Sequence, residues 1–293
     1  MEELRVKDFE YLEPVSLQQA LEWLNTHRGR ARVLAGGTDL YLRLRKRVFV
    51  PDYVIDLKRV RGLDYIASGG QGGLRIGPTA LQGDVYSSPL VQEGFPALAE
   101  AARLVGSVQT RNRATVVGNL CNASPAADTA PALMGYGAQV KIASLQGERT
   151  VPLEEFFVGP AKTALQDNEL VAEVLLPAPL PRTGGSFVRR TRTAMDIAVV
   201  CGAAVLSLAN GRCREVRIAL GAVAPTPIRA PRAEGALRGQ ALTERLIEEA
   251  SRIAAEEARP IDDVRSTAEY RREMVHVLTR RGLTQALARA RAR

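Results

Sequence analysis

Two stretches of the chain hold the residues best able to do chemistry, and both offer bare backbone to an approaching anion. The first is Val33-Leu34-Ala35-Gly36-Gly37-Thr38-Asp39-Leu40, an apolar run that enters paired glycines and then a helix-compatible sequence. Without Cβ atoms, Gly36 and Gly37 permit a sharp turn and let N–H groups come close to a negatively charged ligand. A helix start behind them would add a favourable partial charge. Paired glycines between a strand and a helix also make an ordinary tight turn, so this stretch is weak on its own. G-x-G-x-x-G is absent from it, and G-x-x-x-x-G-K-S/T is absent from the whole chain. A nucleotide site here would need an architecture other than the Rossmann or P-loop one.

The second stretch runs from Val108 to Asp128 and includes Thr115-Val116-Val117-Gly118-Asn119-Leu120-Cys121-Asn122. It is dense in Asn, Ser, Thr and Gly, which supply local donors and tolerate irregular backbone. A polar loop of this length inside a compact domain is usually functional. Asp128 opens a helix-like run through Met134, where a side-chain N-cap is the simplest role for it.

Other chemistries lack their residues. Three cysteines, Cys121, Cys201 and Cys213, form no C-x-x-C pair. That argues against a disulfide framework and a structural zinc, and it is one thiolate short of an iron–sulfur cluster. His27 and His276 are too far apart in sequence to suggest a metal site. No nucleophile–base constellation stands out, so no catalytic acid or base is assigned. The net charge of +8 raises the question of nucleic acid. However, its basic residues are scattered, as in Arg43/Arg45, Arg189/Arg190/Arg192 and Arg271/Arg272, and aromatics are only 5%. Solvated faces and docking surfaces are the expected roles, with a basic nucleotide- or nucleic-acid-binding protein as a rival class. No apolar run reaches the length of a membrane span. The acidic opening Met1-Glu2-Glu3-Leu4-Arg5 lacks a secretory h-region, so a cytoplasmic protein is expected.

The elements that must position these stretches form an α+β pattern. Residues 32–34, 54–57, 63–66, 74–76, 139–143 and 169–176 read as strands, and 96–105 as a helix. Pro177-Ala178-Pro179-Leu180-Pro181-Arg182-Thr183-Gly184-Gly185 reads as a linker. The expected division is therefore a first domain over 1–177, a linker over 178–185 and a second domain over 186–293. In the second domain, runs 198–208 and 215–223 flank Asn210-Gly211, a strong hairpin signal. Residues 243–258 read as a helix capped by Thr243, and residues from 267 onward as one or two arginine-rich helices.

Taken together, the two stretches resemble the FAD-binding subunit of molybdenum hydroxylases, the family of xanthine dehydrogenase and aerobic carbon monoxide dehydrogenase. The resemblance continues through Gly221-Ala222-Val223-Ala224-Pro225-Thr226-Pro227 and Ser266-Thr267-Ala268-Glu269-Tyr270-Arg271-Arg272, so it covers nearly the whole chain in order. It implies a two-lobed FAD-binding domain of the vanillyl-alcohol-oxidase/PCMH type, followed by a small antiparallel sheet with helices. By resemblance, the backbone of Leu34, Ala35, Gly36, Gly37, Thr38, Asp39 and Leu40 would wrap the FAD diphosphate. Thr115, Gly118 and Asn119 would form a second loop over it. Asp128 would accept hydrogen bonds from FAD hydroxyls, Leu170 would lie near the flavin ring, and Cys121 would only pack. Two positions depart from the family: Val117 stands where a glycine is usual, and Val188 where some relatives carry a lysine. The implied partners are a large molybdopterin-binding subunit and a small subunit with 2Fe-2S clusters, two copies of each chain. Electrons would pass from those clusters through FAD to an external acceptor. A self-contained FAD-dependent NAD(P)H reductase of related fold is the alternative enzyme.

Overall fold

Three parallel strands open the chain in a computed structural model that describes residues 6–293; the reading of Met1 to Arg5 lies outside those residues. The first lobe comprises β1 (Glu10–Leu12), α1 (Leu17–Thr26), β2 (Ala31–Leu34), α2 (Leu40–Arg45) and β3 (Tyr53–Asp56), with strand order β1-β3-β2. Helix α1 starts where the Ser16 hydroxyl accepts the Gln19 N–H at 3.1 Å. Its Ala20, Leu21 and Leu24 form one apolar face and pack on Ala31, Ile55 and Leu57. The glycine pair follows the carboxyl end of β2, the end of a parallel strand where ligands bind in open α/β sheets.

The second lobe begins with β4 (Ile66–Ser68) and β5 (Leu74–Ile76). Six helices follow: α3 (Gln82–Ser87), α4 (Pro89–Gly94), α5 (Pro96–Leu104), α6 (Val108–Arg111), α7 (Val116–Cys121) and α8 (Thr129–Gly135). The chain then forms β6 (Gln139–Ser144), β7 (Gly147–Pro152), α9 (Leu153–Phe156), the small pair β8 (Phe157–Gly159) and β9 (Lys162–Thr163), and β10 (Leu170–Leu176). The five-stranded sheet is antiparallel, in the order β4-β5-β10-β6-β7.

A four-stranded antiparallel sheet completes the fold, from β11 (Thr183–Arg190), β12 (Val200–Ala209), β13 (Arg212–Gly221) and β14 (Ile228–Arg229). Behind it stand α10 (Pro231–Leu237), α11 (Glu244–Glu257) and α12 (Ala268–Arg291). The two-residue period of β12 shows how it holds two layers together. Cys201, Ala203 and Val205 join the cluster of Leu98, Leu133 and Met134 on the second-lobe helices. Val200, Ala204, Leu206 and Leu208 join Ile247, Val275 and Leu283 on α11 and α12. The second-lobe helices are thus packed between two sheets, with Ile76, Val140 and Val174 on their other side. Among the described residues no helix is long and apolar enough to cross a membrane.

The α+β, two-lobed arrangement with an antiparallel sheet after it agrees with the sequence reading, and several details correct it. Thr183, Gly184 and Gly185, expected in the linker, begin β11. Glycine serves there because the backbone of α12 lies against the strand: a Cβ on Gly184 would strike the Ala286 carbonyl and come within 2.6 Å of the Ala290 nitrogen. The strand expected over 63–66 starts only at Ile66, and the Leu63 carbonyl instead accepts the Thr79 N–H at 3.0 Å. The polar stretch 108–128 contains two short helices, α6 and α7. The arginine-rich end, read as one or two helices, is a single helix of 24 residues, in agreement with that reading. Thr243 caps α11 as expected, its hydroxyl accepting the Leu246 N–H at 3.2 Å.

The close strand–helix approach makes a checkable claim. Gly184→Ala should lower the unfolding free energy by about 3 kcal/mol, the upper part of the range for overpacking. Gly235→Ala, with open space around its α-carbon, should cost nothing measurable. Denaturant titration of the two variants measures both, and equal midpoints would contradict the packing described.

Candidate cofactor site

The turn after β2 is held by two backbone features. Gly37 adopts φ +77°, in the left-handed region that glycine enters without strain. At Gly36 the requirement is space: a Cβ would overlap the Arg113 carbonyl and lie 2.9 Å from the Ala114 α-carbon. The two stretches singled out in the sequence, 77 residues apart at Gly36 and Arg113, therefore meet backbone to backbone. The Tyr41 N–H closes the turn on the Gly37 carbonyl at 3.0 Å, and Arg43 Nη2 donates to the Asn122 carbonyl at 3.1 Å, tying α2 to the end of α7.

The other side of this contact is pinned from beneath. Gln82 N–H donates to the Ala114 carbonyl at 2.8 Å, and Val116 N–H to the Ala80 carbonyl at 3.3 Å. Thr115 is buried and caps α7, its hydroxyl accepting the Gly118 N–H at 2.9 Å. Asn119 Oδ1 accepts the Thr129 hydroxyl at 2.6 Å, which joins α7 to α8. Val116, Val117 and Leu120 are buried in the core. The Val117 side chain is thus taken up by packing, which accounts for a β-branched residue beside Gly118. Cys121 packs against the same core, and burial pushes its thiol up to about 12.

Asp128 departs from the simplest expectation. Its side chain makes no N-cap hydrogen bond to α8, because the residue already has helical φ and ψ. Only 9% exposed, it accepts Arg189 Nη1 on Oδ2 at 2.8 Å, while Oδ1 is buried without a hydrogen-bond donor. Burial pushes the carboxyl up to about 6, against the opposing pull of the Arg189 guanidinium. An ionised oxygen without a donor is costly to bury, so it is well suited to a ligand hydroxyl.

Leu170 and Val188 are both packed against apolar neighbours. Leu170 is 3% exposed within the cluster of Ala20, Leu24, Ile55 and Ala172 that joins the first lobe to the five-stranded sheet. Val188 turns toward α12, with its methyl group beside Gly282. Strand alternation then carries its neighbour Arg189 to the opposite face, toward Asp128. Arg189, read from the sequence as part of a solvated basic run, has a side chain only 5% exposed. The signal for it was the parity with buried Phe187 two residues earlier.

A side-chain-free contact at Gly36, a left-handed Gly37 and an unpaired buried carboxylate oxygen fit a cofactor with a diphosphate and hydroxyl groups. The family described as the FAD binding domain in molybdopterin dehydrogenase matches residues 7–179. The chain belongs to this family. The CO dehydrogenase flavoprotein C-terminal domain matches residues 186–286. Among relatives of this FAD-binding chain, the carbon monoxide dehydrogenase medium chain of Hydrogenophaga pseudoflava is 33% identical over 281 residues, 96% of this chain and 98% of that one. A putative xanthine dehydrogenase FAD-binding subunit of Escherichia coli is 34% identical, covering 89% of this chain and 90% of that one. Two solved structures match across the fold. Carbon monoxide dehydrogenase from Hydrogenophaga pseudoflava lacking the Mo-pyranopterin moiety superposes with a TM-score of 0.93 at 34% identity, covering 97% of this chain and 99% of that one. Quinoline 2-oxidoreductase from Pseudomonas putida 86 gives 0.91 at 31% identity, covering 98% and 99%. The chain is an FAD-binding oxidoreductase subunit of the molybdenum hydroxylase type.

The buried carboxyl of this flavin subunit has a pH signature. Because its folded pKa lies above the ordinary carboxylate value, the native state holds the proton more tightly than the unfolded chain between about pH 4 and pH 6. Stability without cofactor therefore falls as pH rises through that window. Measured by denaturant titration from about pH 4 to pH 6.5, the unfolding free energy of the wild type should fall relative to Asp128→Asn by up to about 3 kcal/mol. A pH-independent difference would mean an ordinary carboxyl.

Proposed function

We propose that this chain is the FAD-carrying member of a three-component molybdenum hydroxylase and completes no substrate oxidation alone. Backbone N–H groups of Leu34, Ala35, Gly36, Gly37, Thr38, Asp39 and Leu40 bind the FAD diphosphate. Thr115, Gly118 and Asn119 shape the facing loop, in which the Gly118 N–H is already held by Thr115 and the residue contributes space. Asp128 accepts a hydrogen bond from an FAD hydroxyl on Oδ1. Leu170 supplies an apolar position near the flavin ring, from a strand of the five-stranded sheet packed on the first lobe. When bound, FAD supplies a centre that takes electrons from 2Fe-2S clusters and delivers them to an external acceptor. The protein's residues fix its position and keep water from the buried carboxylate.

The partners are a large molybdopterin-binding subunit and a small 2Fe-2S subunit, in two copies of each of the three chains, in the cytoplasm. The chain divides functionally near the linker into residues 1–177 and 186–293. One observation supports this reading above the others: Gly36 touches the Arg113–Ala114 backbone directly, so both loops can reach one diphosphate. The +8 charge gives little support to a nucleic-acid surface, because Arg189 and Arg271 are spent on internal contacts.

Purification of the tagged chain from its own cells tests the proposal. The expected result is FAD recovered with molybdenum and iron in co-purifying chains, while the isolated FAD-loaded chain shows no NAD(P)H turnover. Multiple turnovers of NAD(P)H by the isolated chain would establish the self-contained reductase instead.

A further inference from the structure

We propose that Arg189 is the positioning residue for Asp128, so that the second half of the chain completes a cofactor site whose loops all belong to the first half. The inference rests on the FAD reading above and concerns a residue outside both glycine-bearing stretches.

Three acceptors hold the guanidinium. Nη1 donates to Asp128 Oδ2 at 2.8 Å and to the Leu104 carbonyl at 2.8 Å, and Nη2 donates to the Ala194 carbonyl at 3.1 Å. These acceptors come from α5, from the segment before α8 and from the connection between β11 and β12, so the planar fork is fixed from three directions. Arg–carboxylate pairs are frequently bidentate, with both oxygens taken up by one guanidinium, as Glu169 is by Arg149. Here the second nitrogen is committed to Ala194, and Asp128 Oδ1 keeps its accepting capacity with no donor in the protein. That geometry fixes a carboxylate's direction while leaving one oxygen for a ligand.

The same half of the chain frames the segment leading to Asp128 a second time. Ala222 N–H donates to the Pro125 carbonyl at 2.7 Å. Arg271, 3% exposed, holds the Ala222 carbonyl at 3.0 Å and the Val199 carbonyl at 2.7 Å, and is itself held by Asp263 at 2.7 Å. The titratable groups facing the Asp128 carboxyl are Arg189 from β11 and the Cys201 thiol from β12. Burial raises that thiol well above its usual range and keeps it neutral. Arg189 is thus the charge that keeps Asp128 ionised near neutral pH.

The test is a flavin-fluorescence titration of the full-length chain with FAD from about pH 5 to pH 8, with folding checked by near-ultraviolet circular dichroism. Wild-type affinity should fall as pH drops through about 6, where Asp128 takes up its proton. Arg189→Met should weaken FAD roughly tenfold to a hundredfold at pH 7, the worth of one charge-assisted hydrogen bond, and move the midpoint upward. Arg189→Lys should restore most of the midpoint but less of the affinity, since it lacks the fork. In an Asp128→Asn background, Arg189→Met should cause little further loss. If Arg189→Met does not fold, Arg189→Gln, which keeps a donor for Leu104 or Ala194 without the charge, should give the same shifts. A wild type that binds FAD, with Arg189 variants of unchanged affinity and midpoint, would overturn the positioning role alone. A folded wild type that takes up no FAD at any pH would overturn the cofactor reading and this proposal with it.

Discussion

The carbonyl of Arg113 occupies the place where any side chain at position 36 would have to be, and the arrangement of the site depends on that one contact. It joins the carboxyl end of a parallel strand in the first lobe to a helix start in the second. Neither loop could approach so closely through side chains. The surrounding hydrogen bonds serve the same contact: residues 80–82 hold residues 114–116 from below, and Arg43 ties α2 to Asn122. What results is a close backbone approach at a glycine-bearing turn, a geometry in which N–H groups can be turned toward an anion.

The electrostatics of the site follow from how the helices are packed. The layer between the two sheets buries Asp128 together with its partner, and burial pushes the carboxyl up from the ordinary carboxylate value. Arg189 offsets part of this from across the β11 strand, at 2.8 Å. The balance leaves a carboxyl that titrates at about 6, close enough to physiological pH for its charge to respond to a ligand. Breaking a pair this buried from one side costs more than the pair contributes, because the remaining charge has nowhere to go. The second half of the chain therefore walls in Asp128, through Arg189 and through the Ala222 N–H on the Pro125 carbonyl.

Much of this was legible in the sequence where local chemistry decides the outcome. Gly36 and Gly37 stood out because few residues substitute for glycine where φ is positive or backbone meets backbone. Asn210-Gly211 marked a hairpin whose two central residues do adopt φ of +51° and +76°. Thr243 announced its helix by its own hydroxyl. What stayed hidden depended on partners distant in sequence. Gly184 looks like a linker residue until α12, a hundred residues later, is laid against it, and Gly185 until the Tyr136 ring is. Asp128 looks like an N-cap because nothing nearby reveals Arg189, 61 residues on. The helices α6 and α7 span four and six residues, too short to show a helical period among polar residues.

Whether the two loops meet on one cofactor is decided by FAD binding to Gly36→Ala beside the wild type, by fluorescence titration on chains shown to be folded. One FAD per wild-type chain is expected, with a loss of affinity of at least about a hundredfold in Gly36→Ala, because the added methyl group separates the two loops. A folded Gly36→Ala chain that binds FAD as tightly as the wild type would contradict a shared site.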